Sequence, residues 1–287
     1  MQTVLITGSS SGFGRLTAET LLKNGYTVIA TMIGVETFSV AAVEELKKLE
    51  ASTKGQLFIY ELDVTSESSI EKAMQQISEG PGAVDVLINN AGIGCTGWTE
   101  AIPEKQMQKL FDVNVFGVQR MMRAILPQMR SRGKGLIINF SSIQGRIVFP
   151  YSGIYTATKF AVEGLSESYH YELRKLGIDV CILEPGGFKT NFESVQGGPE
   201  DTVRIDAYSD LKDKPFEVWG HPNDEKDFLP HPQPVPDAIL ELIQTSNGER
   251  SLRTVVDPLL GGEQVNRINQ ISAFEQIKLS DKLNWRC

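Results

Sequence analysis

The 287-residue chain is short of the residues that build disulfide frameworks and metal sites, with three cysteines and three histidines. Cys95, Cys181 and Cys287 lie far apart and form no Cys-x-x-Cys pair. That excludes a disulfide scaffold and leaves no zinc-ligand spacing. His221 and His231 each neighbour a proline and read as surface-loop residues, and His170 reads as an ordinary helix residue. No run of about 18 apolar residues occurs, so no membrane span is expected. Cationic excess is missing too: 28 Lys and Arg face 36 Asp and Glu, a net charge of −8. Nucleic acid and anionic membrane surfaces are therefore not expected partners. A signal-peptide pattern is also absent, because Val4-Leu5-Ile6 reads as a strand almost at once. Together these absences lead us to expect a reducing, cytoplasmic setting.

What is present is ordinary globular composition, 41% hydrophobic and 22% charged, and a regular alternation of strand and helix patterns. Continuous apolar runs at 3–6, 26–31, 57–62, 84–88, 136–139, 180–183 and 253–256 read as strands. Helical periodicity covers 15–24, 41–51, 66–77, 104–129, 152–175 and 236–242. Strands without in/out alternation imply a parallel sheet covered by helices on both faces, an α/β doubly wound architecture. Met121-Met122 reads as helix packing. Eight of the 13 prolines fall between Pro185 and Pro236. An irregular stretch of that length suggests a functional lid, with Phe192, Phe216, Trp219 and Phe228 available to line a pocket.

Strand one runs into Thr7-Gly8-Ser9-Ser10-Ser11-Gly12-Phe13-Gly14 and then directly into a helix. Glycines allow a tight turn, and a helix N-terminus presents amides and a positive dipole end to a pyrophosphate. The spacing is Gly-x-x-x-Gly-x-Gly, not Gly-x-Gly-x-x-Gly. Asp63-Val64 closes strand three, where a carboxylate could accept from an adenine amino group. The plainer reading of Asp63 is a helix-cap region. Asn90-Ala91-Gly92 closes strand four, where small residues let backbone approach the cofactor ribose. The end of strand two, Ile29-Ala30-Thr31-Met32-Ile33-Gly34, has neither a carboxylate for a ribose 2′-OH nor a cation for a 2′-phosphate. Ser10, Ser11, Thr31 and Arg15 could serve a phosphate, so the expectation is NADP by a slight preference, or NAD.

Tyr155 and Lys159 are four residues apart and share one helix face. An ammonium there would favour tyrosinate, drawing the phenol down from about 10 toward neutrality. Ser142 ends a strand 13 residues earlier and could bind a substrate oxygen. Asn114 is a polar residue within an apolar helix face.

In this order and spacing, Thr-Gly-x-x-x-Gly-x-Gly, Asn-Asn-Ala-Gly, Asn-Val-x-Gly, Ser142 and Tyr-x-x-x-Lys resemble the short-chain dehydrogenase/reductase family. The resemblance is close over residues 1 to about 190. It implies a single Rossmann-type domain spanning 1–287 with about seven parallel strands, 191–235 forming a substrate lid. It implies that Tyr155 transfers a proton to or from a carbonyl or alcohol oxygen, and that Ser142 orients that oxygen. Lys159 would bind the nicotinamide ribose, and Asn114 would hold a relay water. Pro185-Gly186-Gly187-Phe188-Lys189-Thr190 matches Pro-Gly-x-x-x-Thr, whose Thr would contact the carboxamide. The long tail is similar to the hydroxysteroid and retinol dehydrogenase branch, in which an Arg often stands where Ile33 does. The implied activity is hydride transfer between nicotinamide and a ketone or secondary alcohol. Alternatives are an epimerase or dehydratase of the extended type, or a dinucleotide sensor without turnover. Apolar residues on several faces of the two long helices (Phe116, Val118, Met121 and Ile125; Phe160, Val162, Leu165 and Tyr169) lead us to expect a homodimer or homotetramer.

Overall fold

The computed structural model describes residues 1–192, 197–220 and 227–284. Seven parallel strands form one sheet: β1 (Thr3–Thr7), β2 (Thr27–Met32), β3 (Gln56–Glu61), β4 (Val86–Asn89), β5 (Gly135–Phe140), β6 (Ile178–Pro185) and β7 (Arg253–Val256). Their order is β3-β2-β1-β4-β5-β6-β7. The chain winds outward from β1 to β3, then returns to the other side of β1 as β4. The crevice at the carboxyl ends of β1 and β4 is therefore the topological switch point, where such sheets bind ligands.

Side-chain alternation along the strands feeds two cores. Val4, Ile6, Val28, Ala30, Met32, Ile138 and Leu183 face α1 (Gly12–Lys23), α2 (Val40–Glu50) and α9 (Pro234–Gln244). Leu5, Ile29, Leu87, Ile137 and Val180 face α3 (Glu67–Glu79), α5 (Gly117–Arg132) and α6 (Gly153–Leu173). Both faces of the central strands are buried, which is why their apolar runs are continuous and do not alternate in and out. Met121 and Met122 are fully buried packing residues, as expected from the sequence.

The expected helix at 104–129 is more elaborate than its periodicity suggests. It begins as α4 (Glu104–Phe111), widens into a π-helical segment at Asp112–Phe116, and resumes as α5. An extra residue in a helical turn rotates the downstream part of the helix, and such bulges are frequent at functional sites. Here the widened turn carries Asn114.

The lid region contains α7 (Thr202–Asp206) and α8 (Lys214–Trp219). Aromatic contacts fasten it: Trp98 stacks on Tyr208 at 3.6 Å, and its Nε1 donates to the Lys212 carbonyl at 3.1 Å. Trp219 Nε1 donates to the Pro150 carbonyl at 2.8 Å. Of the expected lining residues, Phe192 packs against Tyr155 and Trp219 against Phe149, whereas Phe228 is 70% exposed and lines nothing. His231 is exposed, and His221 lies outside the described residues. A final helix, α10 (Gly262–Leu283), follows β7 where the sequence suggests only a tail. It buries little besides Gly262 and Val265, so no core-facing stripe announces it. Among the described residues, no helix is long and apolar enough to cross a membrane.

Candidate active site

The turn after β1 is shaped by glycine. Gly8 and Gly12 have φ of +70° and +55°, a region that side chains disfavour. At Gly14 a Cβ would sit 2.3 Å from the Gly8 carbonyl oxygen. Asn90 fixes this turn to β4, its Nδ2 donating to the carbonyls of Thr7 and Gly8 at 2.9 Å each. Thr7 Oγ1 in turn accepts the amides of Asn90 and Ala91 at 3.1 Å each. Arg15 makes the first backbone bond of α1, to Ser11, so the amides of Gly12, Phe13 and Gly14 have no acceptor within the helix. Ser11, the N-cap, makes no side-chain cap bond. Such a turn fits a pyrophosphate. Ser10, Ser11, Gly12 and Thr190 line one open cleft of about 370 Å³ with Arg15 and Lys189. Thr190 is thus brought to the Gly-rich turn, although Tyr155 does not line this cleft. The Phe13 ring packs against Phe140 and Phe188 and holds the head of α1 to the sheet.

The strand-two end departs from the expectation. Met32 is core-facing and 1% exposed, and only Ile33 projects outward. Thr31 Oγ1 is spent on the Ile6 carbonyl at 2.9 Å. Arg15 pairs with Glu19 at 2.6 Å and Glu45 at 3.0 Å. Of the four expected phosphate partners, Ser10, Ser11 and Arg15 line the cleft, Arg15 already paired with two carboxylates. A residue that the sequence did not single out, Glu61 at the end of β3, accepts the amides of Gly34 and Val35 at 2.8 Å each. Asp63 Oδ1 accepts from the amide and hydroxyl of Thr65 at 2.8 and 2.7 Å, while Ser66 is the N-cap of α3. The Val64 side chain packs on Gly117, and its carbonyl accepts from Arg120 Nη1 at 3.2 Å. At Gly186 a Cβ would meet Asp257 at 2.1 Å, so this glycine is required by loop packing.

Four elements converge on Tyr155. It lies in the first turn of α6, buried, and Ser142 is near enough to its hydroxyl to favour the phenolate. Ser142 Oγ also donates to the Pro185 carbonyl at 3.3 Å and accepts the Gln144 amide at 3.1 Å. One turn along α6, Lys159 Nζ donates to the Phe140 carbonyl at 2.9 Å and lies 5.6 Å from the Tyr155 ring centroid. Asn114 Oδ1 accepts the Ile93 amide, and its Nδ2 donates to the Ile93 carbonyl and to Thr158 Oγ1. Both amide hydrogens are therefore committed, and a relay water falls to its backbone or to a lone pair of Oδ1. Gly92 completes the group, its missing side chain leaving room beside Asn114 and Lys159. Thr158 has no signature in the sequence, because its role as a partner of Asn114 spans 44 residues.

The expectation that Lys159 draws the phenol down is not met. Burial pushes Tyr155 up to about 12, against the lowering influence of the neighbouring Ser142 hydroxyl. Burial likewise lowers Lys159 to about 8, opposed by the charge of Glu163. The ammonium faces a carbonyl and the ring rather than the hydroxyl, so desolvation decides both shifts.

Comparison with known proteins agrees with this geometry. Residues 2–198 match the short chain dehydrogenase family. The chain is 36% identical over 259 residues to a 3-ketodihydrosphingosine reductase of Bacteroides thetaiotaomicron, covering 90% of this chain and 89% of that protein. It is 37% identical over 211 residues to human 17-beta-hydroxysteroid dehydrogenase type 1, covering 72% and 63%. The crystal structure of a short-chain dehydrogenase from Streptomyces avermitilis superposes with a TM-score of 0.76 at 31% identity, covering 99% of this chain and 97% of that one. The chain belongs to the short-chain dehydrogenase/reductase family and is an oxidoreductase with that family's NAD(P)-binding fold.

Proposed function

We propose that this enzyme interconverts a hydrophobic ketone and its secondary alcohol. The observation that carries the reading is the buried group of Tyr155, Ser142 and Lys159, with the Lys159 ammonium 5.6 Å from the Tyr155 ring centroid. The bound dinucleotide supplies or accepts the hydride. A substrate oxygen would lie between Tyr155 and Ser142, the Ser142 hydroxyl turning to it from the Pro185 carbonyl it meets at 3.3 Å. Tyr155, held neutral by burial, is the acid that protonates that oxygen on reduction and takes the proton back on oxidation. Lys159 brings the nearest positive charge and stabilises the phenolate left behind. Cys95, Ile102 and Leu110 form an apolar wall around Tyr155, joined by Phe192. That wall suits an apolar substrate, and two of the relatives are named for a 3-ketodihydrosphingosine and a 17-beta-hydroxysteroid.

NADP is preferred slightly over NAD in this reading. Strand two offers no acid to repel a 2′-phosphate, and Ser10 and Ser11 are free to meet it. Glu61 at the adjoining loop opposes it, which keeps the preference small. The two described cysteines, Cys95 and Cys181, are buried free thiols, consistent with a reducing, cytoplasmic setting. Val118, Met121, Ile125 and Val162 are buried in the subunit's own fold, so the expected self-association rests on Phe116 and Phe160, 52% and 44% exposed. We read these as the centre of a homodimer or homotetramer contact. Light scattering should show at least a dimer at micromolar concentration, and Phe116→Asp should yield monomers.

Tyr155→Phe should retain dinucleotide binding and lose about 10²–10⁴-fold in kcat with a ketone panel, followed by absorbance of the reduced cofactor. Retention of more than about a tenth of the activity removes Tyr155 from the acid/base role. Ile33→Arg should raise the NADP-to-NAD ratio of kcat/KM more than about tenfold through a charge-assisted contact. An unmoved ratio means the 2′ group is read elsewhere. Lys159 also leaves a mark on stability. Its folded pKa of about 8 lies below the ordinary 10.5, so the unfolded chain binds more protons between these values. Stability therefore rises with pH across that window. Compared with Lys159→Met, the wild type should gain stability from pH 8 to about 10.5 in denaturant titrations, and parallel curves would refute the buried charge.

A further inference from the structure

Behind Lys159 lies a buried group of charges. Glu163, one turn further along α6, is 2% exposed, and Glu184, next to last in β6, is fully buried. Arg253 of β7 reaches between the elements. Its Nε donates to Glu163 Oε2 at 2.8 Å, its Nη2 donates to Glu167 Oε2 at 2.6 Å, and Glu184 Oε1 lies 3.8 Å from Nε. Asn269 of α10 donates to Glu184 Oε2 at 2.6 Å. This leaves Glu163 Oε1 and Glu184 Oε1 buried with no N–H or O–H donor, and both carboxyl groups crowd the same Arg253 Nε, at 2.8 and 3.8 Å. Two carboxyl groups that meet away from water are relieved by a proton between them.

The pair touches the machinery of the site on both sides. Glu163 packs on Gly145, where a Cβ would lie 2.9 Å from Glu163 Cγ and 2.3 Å from Ser141 Oγ, in the loop that carries Ser142. Glu184 directly precedes Pro185, whose carbonyl accepts from Ser142. Glu163 also holds the Lys159 charge up against burial. We propose that Glu163 and Glu184 share one proton, and that this hydrogen-bonded pair is a positioning device for Lys159 and the Ser142 loop.

Every element packed here contributes to the balance. Lys159, Glu163, Glu167 and Tyr171 come from α6, Arg253 from β7, Asn269 from α10 and Arg146 from the loop after Ser142. Burial and the Glu163 charge push Glu184 far above the ordinary carboxylate range. Its folded pKa is raised, so the stability it contributes is full below the ordinary carboxylate pKa and is lost as pH climbs through the raised value. The proton sits on the pair at neutral pH, where it leaves Glu163 and Glu184 with one negative charge between them.

The positioning role rests on the oxidoreductase reading; the shared proton does not. Infrared difference spectra of the full-length enzyme, wild type against Glu184→Gln at neutral pH, should contain the carbonyl stretch of a protonated carboxyl that shifts in D₂O. No such band overturns the proposal, even if ketone reduction is robust. Glu163→Gln removes the negative end facing Lys159. The alkaline limb of its kcat profile should move to lower pH by about half a unit or more, with KM little changed. A profile superimposable on wild type, or a loss carried by KM alone, overturns the positioning role. If neither enzyme turns over any ketone, the infrared band still decides the shared proton and the oxidoreductase reading alone falls.

Discussion

A lysine ammonium buried to 6% exposure is the constraint around which the site is arranged. Removing such a charge from water is costly unless hydrogen bonds and opposite charge compensate. Lys159 donates to the Phe140 carbonyl and sits in the field of Glu163 one turn away. The end of β5 supplies that carbonyl, the Gly92 backbone passes beside the ammonium, and Asn114 occupies the widened turn between α4 and α5. Three chain segments far apart in sequence thus meet around one charge. The same burial that lowers Lys159 keeps Tyr155 in its proton-bearing form, so one dry environment favours the neutral state of both groups and Glu163 alone works for the charge.

The cofactor end of the crevice obeys a different logic, dominated by backbone. Asn90 and Thr7 exchange bonds with each other's main chain and lock β1 to β4 at the switch point. Gly14 admits no Cβ because the Gly8 carbonyl and Asn90 amide already occupy the space. These are contacts in which the residue type is forced by geometry, with little room for an alternative. A helix N-terminus offers amides to an anion, so the turn's chemistry depends largely on the positions of atoms common to all residues.

This contrast explains what can be read from sequence. Strands of unbroken apolar residues betray a sheet buried on both faces, and Gly8, Gly12 and Gly14 betray the turn. Tyr155, Lys159, Ser142 and Asn114 are recognisable as a set through their order and spacing. The π-helical turn is not, since one extra residue leaves the apolar periodicity of 104–129 nearly unchanged. Met32 and Ile33 look equivalent in the sequence, although strand alternation buries one and exposes the other. The direction of the Tyr155 pKa shift is equally hidden: a spacing of four places Lys159 on the right face but does not place its ammonium at the hydroxyl. Glu163 and Arg253 meet across 90 residues and carry no local signature.

The substrate end is held by side chains, and it is correspondingly less legible. Trp98 and Trp219 clip the lid helices to backbone carbonyls through their indole N–H groups, and Tyr208 stacks on Trp98. A carbonyl exists at every residue, so an indole bonded to one does not constrain the identity of its partner. Such a lid can vary in sequence without disturbing β1 to β6, and the chemistry beneath it stays the same. The reaction class is therefore set by atoms fixed by the sheet, whereas the shape of the substrate is set by aromatic packing that the sheet does not dictate. For this chain the packing around Tyr155, among Cys95, Ile102, Leu110 and Phe192, is apolar, so the wall beside the hydroxyl is shaped by side-chain volume.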